Sequence, residues 1–301
     1  MTFRNFSKWL YALAQFFVVV GLLNSCATTL IPTPRNVALE KYPELPVILD
    51  GKGLFAVSIS QAAQLKIKSV NVGDWLFNDN GELVNRDRHG FFEYDIFGNI
   101  SEFSGHKDRK GHIKNEYIYA DNNLSEMKFY IKIGDGLSYI GKESFKYIDG
   151  DRSESIVFDN IGDIKARKKF AYDAAGNNVE IHLFDANGNT IGTITKKFDE
   201  FGNILEKVTG NVKEVYSYDK QKITIFRFMQ NSQLHSTSEY TFDNNWNLLT
   251  YLRKSGDGEF WDRFTYKYNA DALPIEKVWS RKEYLVQDPY QLTKYSYQHF
   301  K

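Results

Sequence analysis

Few stretches of this 301-residue chain hold residues whose types and spacing could do chemistry. Gly136-Leu137-Ser138-Tyr139-Ile140-Gly141-Lys142 has the spacing of a phosphate-cradling loop as far as its lysine. Glu143 then stands where a magnesium-binding hydroxyl is needed, and Phe145 and Tyr147 continue with strand period where a helix is required, so a hairpin accounts for it better. His106 and His112 flank Asp108, but Lys107, Arg109 and Lys110 would repel a metal cation and five intervening residues fix no geometry. His89, His182, His235 and His299 are isolated. Asp185-Ala186-Asn187-Gly188-Asn189 has the look of a calcium loop, yet its glycine falls too early and no glutamate closes it. Neither a Gly-x-Ser-x-Gly elbow nor a His-Glu-x-x-His pair is present. No catalytic, metal or cofactor residue is therefore assigned. A carboxylate pair of the glycosidase kind depends on spacing in three dimensions and stays open.

What does recur is a way of turning the backbone. Between Phe170 and Glu206 an aromatic residue is three times followed by Asp, two variable residues and Gly-Asn: Tyr172-Asp173 to Gly176-Asn177, Phe184-Asp185 to Gly188-Asn189, and Phe198-Asp199 to Gly202-Asn203. Asp at the first position of a turn accepts a hydrogen bond from the backbone two residues on, and Gly at the fourth takes the positive φ that closes a type I turn into a bulge. Before the turns the aromatics alternate with Lys, Thr or Ser, as in Phe264, Tyr266 and Tyr268, which is the period of a strand with one buried face. Further well-formed units are Phe77-Asn78 with Asn80-Gly81, Tyr94-Asp95 with Gly98-Asn99 and Phe158-Asp159 with Gly162-Asp163; degenerate ones include Tyr119 to Asn123, Tyr218-Asp219, Phe242-Asp243 with Trp246-Asn247, and Tyr268-Asn269.

Composition agrees. Aromatics at 16% and only 6 prolines favour strands. Lys plus Arg and Asp plus Glu both total 38, so no net field attracts nucleic acid. Trp246, Trp261 and Trp279, with Tyr251 and Tyr284, lie in the less regular C-terminal third; alternating aromatics in strands read as core, and a contiguous exposed patch that stacks on a sugar or anchors a partner is the lesser alternative.

The first 25 residues read as an export signal, with Arg4 and Lys8 ahead of an apolar run from Trp9 to Leu23 that is too short for a comfortable membrane span. Leu23-Asn24-Ser25-Cys26 resembles the lipobox of bacterial lipoproteins. The resemblance implies that Cys26 is diacylated and becomes the N-terminus, and that Ala27 directs the protein to the outer membrane, with the membrane as a partner through that lipid. Cys26 is the only cysteine, so no intrachain disulfide can brace the exported body. Residues 26–46, with Pro32, Pro34, Pro43 and Pro46, read as a tether, and residues 47–74 as a cap. Within the cap, Ser60 to Lys66 suits a short helix, while Leu65, Ile67 and Val70 also suit a strand.

The units from Trp75 to the end look like YD, or RHS, repeats, whose pattern is Tyr-Asp-x-x-Gly-Asn and an aliphatic residue, as in Gly98-Asn99-Ile100 and Gly202-Asn203-Ile204. The resemblance implies a spiralling ribbon of β-hairpins; no toxin or self-cleaving segment is recognisable. The expectation is an all-β body over residues 75–301, an extended and coiled antiparallel sheet with open edges. Its expected role is to bind a protein or glycan without catalysis. The alternatives are an immunity or accessory protein of a toxin system that pairs by strand addition, and a carboxylate-based carbohydrate-active enzyme.

Overall fold

The computed structural model describes residues 59–301 apart from 79, 81, 107–111, 135, 259–260 and 284–285. The export signal, Cys26, the tether, Asp108 and Tyr284 lie outside the described residues. A short helix, α1 (Ile59–Gln64), leads into eighteen strands. The first nine are β1 (Ile67–Phe77), β2 (Leu83–Tyr94), β3 (Ile100–His106), β4 (His112–Ala120), β5 (Asn123–Ile133), β6 (Gly136–Ile148), β7 (Asp151–Asp159), β8 (Ile164–Tyr172) and β9 (Asn178–Asp185). The rest are β10 (Thr190–Phe198), β11 (Ile204–Thr209), β12 (Val212–Asp219), β13 (Lys222–Phe228), β14 (Leu234–Phe242), β15 (Leu248–Ser255), β16 (Trp261–Tyr268), β17 (Pro274–Glu283) and β18 (Val286–His299). The helix and strand readings of the segment from Ser60 to Val70 both hold, one after the other, and the first strand begins ahead of Trp75.

Every strand pairs antiparallel with its chain neighbours, and β1 pairs with β18 as well as with β2. The open coiled sheet is thus corrected to a closed up-and-down barrel. The physical reason is edge satisfaction: pairing Ile67 with His299 through to Leu76 with Gln291 supplies partners to the two rows of N–H and C=O groups that an open ribbon would expose. Partner recruitment by strand addition loses its open edge by the same closure.

Burial alternates along the strands. In β14, Ser236, Ser238, Tyr240 and Phe242 are buried, while Thr237, Glu239 and Thr241 are half-exposed. Side chains on the concave face of a ring converge and those on the convex face splay apart, so the buried phase is the interior. The outer wall carries cross-strand ion pairs: Lys222 and Lys254 on Glu239, Lys197 and Lys213 on Glu206, Lys114 on Glu102 and Glu116, and Lys142 on Glu126. A wall embedded in lipid presents an apolar band instead. Pairs of this kind suit a wall in water.

The corners fold as their residues dictate. At Asp185 one carboxylate oxygen accepts from the backbone N–H of Asn187 and Asn189, at 2.9 and 2.8 Å, and the other from the Asn189 amide at 3.0 Å. Asp95, Asp173, Asp199 and Asp243 repeat this set. At Asp159 the fifth residue is Asp163, and Lys165 takes the place of the missing amide at 2.7 Å. The fourth position has positive φ throughout, at Gly98, Gly162, Gly176, Gly188 and Gly202, and also at Trp246 (63°) and Ala272 (58°), where no glycine is present. The stretch from Tyr119 to Asn123 turns differently, in two residues, with Asp121 and Asn122 both at positive φ.

In this meander alternate turns lie at opposite ends. The turns after β2, β4, β6 and each later even-numbered strand share one rim with α1, called here the helix rim; the others form the far rim. At the helix rim most returning strands shift register at their second or third residue, for example at Ser125, Ser153, Leu205, Leu249 and Ile275. A shifted ladder leaves backbone groups to be satisfied from elsewhere. Tyrosines supply that: the hydroxyls of Tyr147, Tyr172, Tyr218, Tyr268 and Tyr297 donate to the carbonyls of Leu124, Arg152, Ile204, Leu248 and Pro274 at 2.5 to 3.0 Å. Each accepting carbonyl lies immediately before a shift. The turn between β12 and β13 has no shift, and the next even strand, β14, ends in Phe242 without a hydroxyl.

Tyr268→Phe is expected to lower stability by about 1–2 kcal/mol through the stranded Leu248 carbonyl, measured by urea unfolding. The corners also predict acid sensitivity. Hydrogen bonds from the Asn177 and Asn189 amides, then from the turn backbone, hold the Asp173 and Asp185 carboxyls below their ordinary value of 3.8. A carboxyl lowered on folding stabilises above its unfolded value and loses that contribution as pH falls through the folded one. The urea midpoint should therefore be flat above about pH 5 and fall below about pH 4, and Asp185→Asn should reduce the drop.

Candidate functional site

The interior is graded from one rim to the other. Reading β14 from the far rim gives Ser236, Ser238, Tyr240, Phe242; β16 gives Asp262, Phe264, Tyr266; β18 gives Gln291, Thr293, Tyr295, Tyr297. The helix-rim half is a packed aromatic core. Tyr240, Tyr251, Phe264 and Trp279 are register partners on four successive strands, and their rings stack at 4.7, 5.5 and 5.6 Å. Such pairs each contribute about 0.5–1.5 kcal/mol beyond the area they bury. Across this end lies α1. Its Ala62 is buried with Ile67, Phe92, Leu273 and Tyr295, and its Gln61 amide donates to the carbonyls of Asp271 and Ala272 at 3.2 and 2.9 Å.

Towards the far rim the same interior phase becomes polar. Glu214 accepts from Arg227 through Nε at 3.0 Å and through a terminal nitrogen at 2.5 Å, from Lys207 at 3.3 Å and from the Tyr216 hydroxyl at 3.1 Å. Burial would raise its carboxyl, but Lys207 and Arg227 outweigh that and hold it below the ordinary carboxylate range. Asp262 accepts from Trp279 Nε1 and Arg281 Nε, both at 2.9 Å, and Arg253, an exposed side chain, stands opposite it in the register. Thr293 donates to Asp74 at 2.7 Å. Between the halves Lys168 meets Glu143 at 2.9 Å with both side chains 3% exposed. Water reaches the polar end, where Arg227 and Arg281 are 36% and 34% exposed, whereas Phe264 in the aromatic half is 2% exposed. The arrangement can hold a polar or acidic group at the mouth. Glu143, Glu214 and Asp262 are each engaged by a cation.

The residues singled out from the sequence are dispersed. The loop-like stretch from Gly136 to Lys142 is the start of β6, and Gly141 (φ 145°) is required because a Cβ there would collide with the Phe158 carbonyl. His106 and His112 are backbone register partners of β3 and β4, and no metal-binding group of three His, Cys, Asp or Glu is found among the described residues. The Asp185 carboxylate is occupied by its own turn. The C-terminal aromatics sit mainly in the core, as their alternation implies: Tyr251 and Trp279 are buried rungs of the ring stack, Trp261 is half-buried, and Trp246 alone of the described four is exposed, at a turn. The interior charges were missed, although they left a signal. Glu143, Lys168, Glu214, Asp262 and Lys277 each stand two residues before an aromatic, on the phase that ought to be apolar.

No family model matches the chain, and no curated protein matches it. Solved structures do. A porin-like protein from Bacteroides uniformis ATCC 8492 is 10% identical with a TM-score of 0.44, over 78% of this chain and 97% of that one. A porin-like protein from Bacteroides vulgatus ATCC 8482 is 10% identical at 0.32, over 78% and 99%. The Photorhabdus luminescens Tc holotoxin pore is 12% identical at 0.23, over 75% of this chain and 15% of that one. At such identities and TM-scores these likenesses carry no functional argument, and the barrel rests on its own strand pairing.

Lys168→Met strands a buried carboxylate and is expected to cost about 3–5 kcal/mol in urea unfolding, whereas Glu143→Met with Lys168→Met together should recover most of it.

Proposed function

We propose that this protein is an exported lipoprotein of the YD-repeat type, held to the outer membrane by lipid on Cys26, and that its barrel is a binding body without catalysis. The observation that carries the binding reading is the graded interior. One end is packed with rings and crossed by α1, while the other opens on Arg227, Arg253 and Arg281 with Glu214 and Asp262 among them. A mouth of this kind suits a hydroxyl- or carboxylate-bearing ligand, a glycan or an acidic protein segment, through charge-assisted hydrogen bonds. The charged outer wall supports a body in water beside the membrane, with the lipid doing the anchoring; a diacylated cysteine supplies the two chains that stable attachment needs. Because α1 lies at one rim, the tether from Cys26 would join the barrel at the rim opposite the polar mouth.

Cys26→Ser is expected to move the protein from the detergent phase to the aqueous phase in a cloud-point partition; unchanged partition sinks the lipid reading. Immobilised protein is expected to retain envelope glycans or an acidic envelope protein, and Arg253→Glu with Arg281→Glu to abolish retention. Binding that ignores the double variant places recognition elsewhere.

A further inference from the structure

The helix rim carries a feature that neither the fold nor the mouth uses. Among the described residues the exposed large aromatics are Phe97 (65%), Phe201 (38%) and Trp246 (39%), and all three sit at turns of this rim. The exposed apolar residues of the far-rim turns, such as Ile161 and Met229, are aliphatic. The three turns follow β2, β10 and β14, which leaves gaps of eight, four and six strands around the ring of eighteen. The widest gap is under half the ring, so the triangle they form encloses the barrel axis.

Trp246 is the most informative. It occupies the fourth position of its corner, where five sister corners have Gly and one has the small Ala272, and it adopts φ 63°. A bulky residue is disfavoured there, and glycine would serve the turn better. Trp246 rests edge-on against Phe242 at 5.7 Å, which fixes its ring at the surface. A strained, exposed tryptophan that the turn does not need points from an observed outlier to a role outside the fold.

We propose that Phe97, Phe201 and Trp246 are three feet on which the barrel stands on a lipid surface, their rings in the headgroup layer. Aromatic side chains favour that layer. The side of the barrel agrees: α1 receives the chain from Cys26 and the apolar leader at this same rim. The chain between Cys26 and Ile59 could span on the order of 100 Å if extended, so lipidation alone would leave the barrel free to tumble. Three apolar feet would fix it upright. The turns of this rim carry more acid than base, with Asp95, Asp121, Asp149, Asp173, Asp199, Glu200, Asp243 and Asp271 against Lys66, Lys68 and Lys220, so attraction to lipid phosphate does not drive the contact; the rings carry it, and on a zwitterionic surface it should resist salt. The orientation rests on the lipoprotein reading; the lipid contact itself does not.

Two measurements keep the two readings apart. In the first, unlipidated Cys26→Ser protein is mixed with phosphatidylcholine vesicles and sedimented. It should co-sediment at low and high salt, and Phe97→Ser with Phe201→Ser and Trp246→Gly should weaken this by roughly tenfold or more. Thermal unfolding checks the variant, and Trp246→Gly alone should leave Tm unchanged or raise it. In the second, the full lipidated chain is placed in vesicles with brominated acyl chains, and tryptophan quenching is compared with that of Trp246→Phe. The quenchable component should disappear with Trp246. Equal co-sedimentation of the folded triple variant, or quenching that survives Trp246→Phe, overturns the proposal even when Cys26-dependent partition is intact.

Discussion

A carboxylate that takes up the donors of its own turn sets the plan of this molecule. When Asp185 accepts from two backbone N–H groups and one side-chain amide, the chain reverses within five residues and the next strand can only lie beside the last. Repeated through the chain, that constraint produces a meander with no crossovers. Once the sheet has curved far enough, the first and last strands have no better partners than each other. The hydrophobic effect then separates inside from outside, but it acts on strands whose order the turns have already decided.

Closure changes what the side chains are for. In an open ribbon the two faces would differ only in polarity. In a ring one face becomes scarce, crowded space, and the chain divides it between stacked rings near α1 and paired charges near the far rim. The charges buried there lower net stability relative to apolar packing, and they persist because Glu143, Glu214 and Asp262 each have a cation. The outer face, by contrast, is stabilised by many weak pairs, each worth little in water, whose main effect is to keep the wall soluble.

Much of this was legible in the residues. The Asp to Gly-Asn spacing located the hairpins correctly, and the alternation of Phe264, Tyr266 and Tyr268 with Thr and Lys gave strands with one buried face. Closure was not legible, because turn chemistry specifies neighbours and says nothing about curvature or the stagger that lets Ile67 find His299. Nor could alternation distinguish Glu214, inside, from Glu239, outside, until phase was counted from the nearest aromatic. The tyrosine hydroxyls were readable in part: Tyr stands at or near the end of β6, β8, β12, β16 and β18, each beside a helix-rim hairpin that shifts register, whereas Phe closes β14, beside the unshifted β12–β13 hairpin, but also β10, beside a shifted one. What hid this was that Tyr and Phe look interchangeable when rings are counted only as core.

Ile67 and His299, the first residue of the first strand and the last of the last, are register partners. No strand in such a ring is privileged by position, since each one touches only the two beside it. The barrel is therefore modular in units of a hairpin. A two-strand insertion or loss would alter its girth while keeping both ends of the ring in contact, and new termini opened at a corner would interrupt one turn without unmaking the circle. Lineages that vary the number of such units would be varying the width of the mouth.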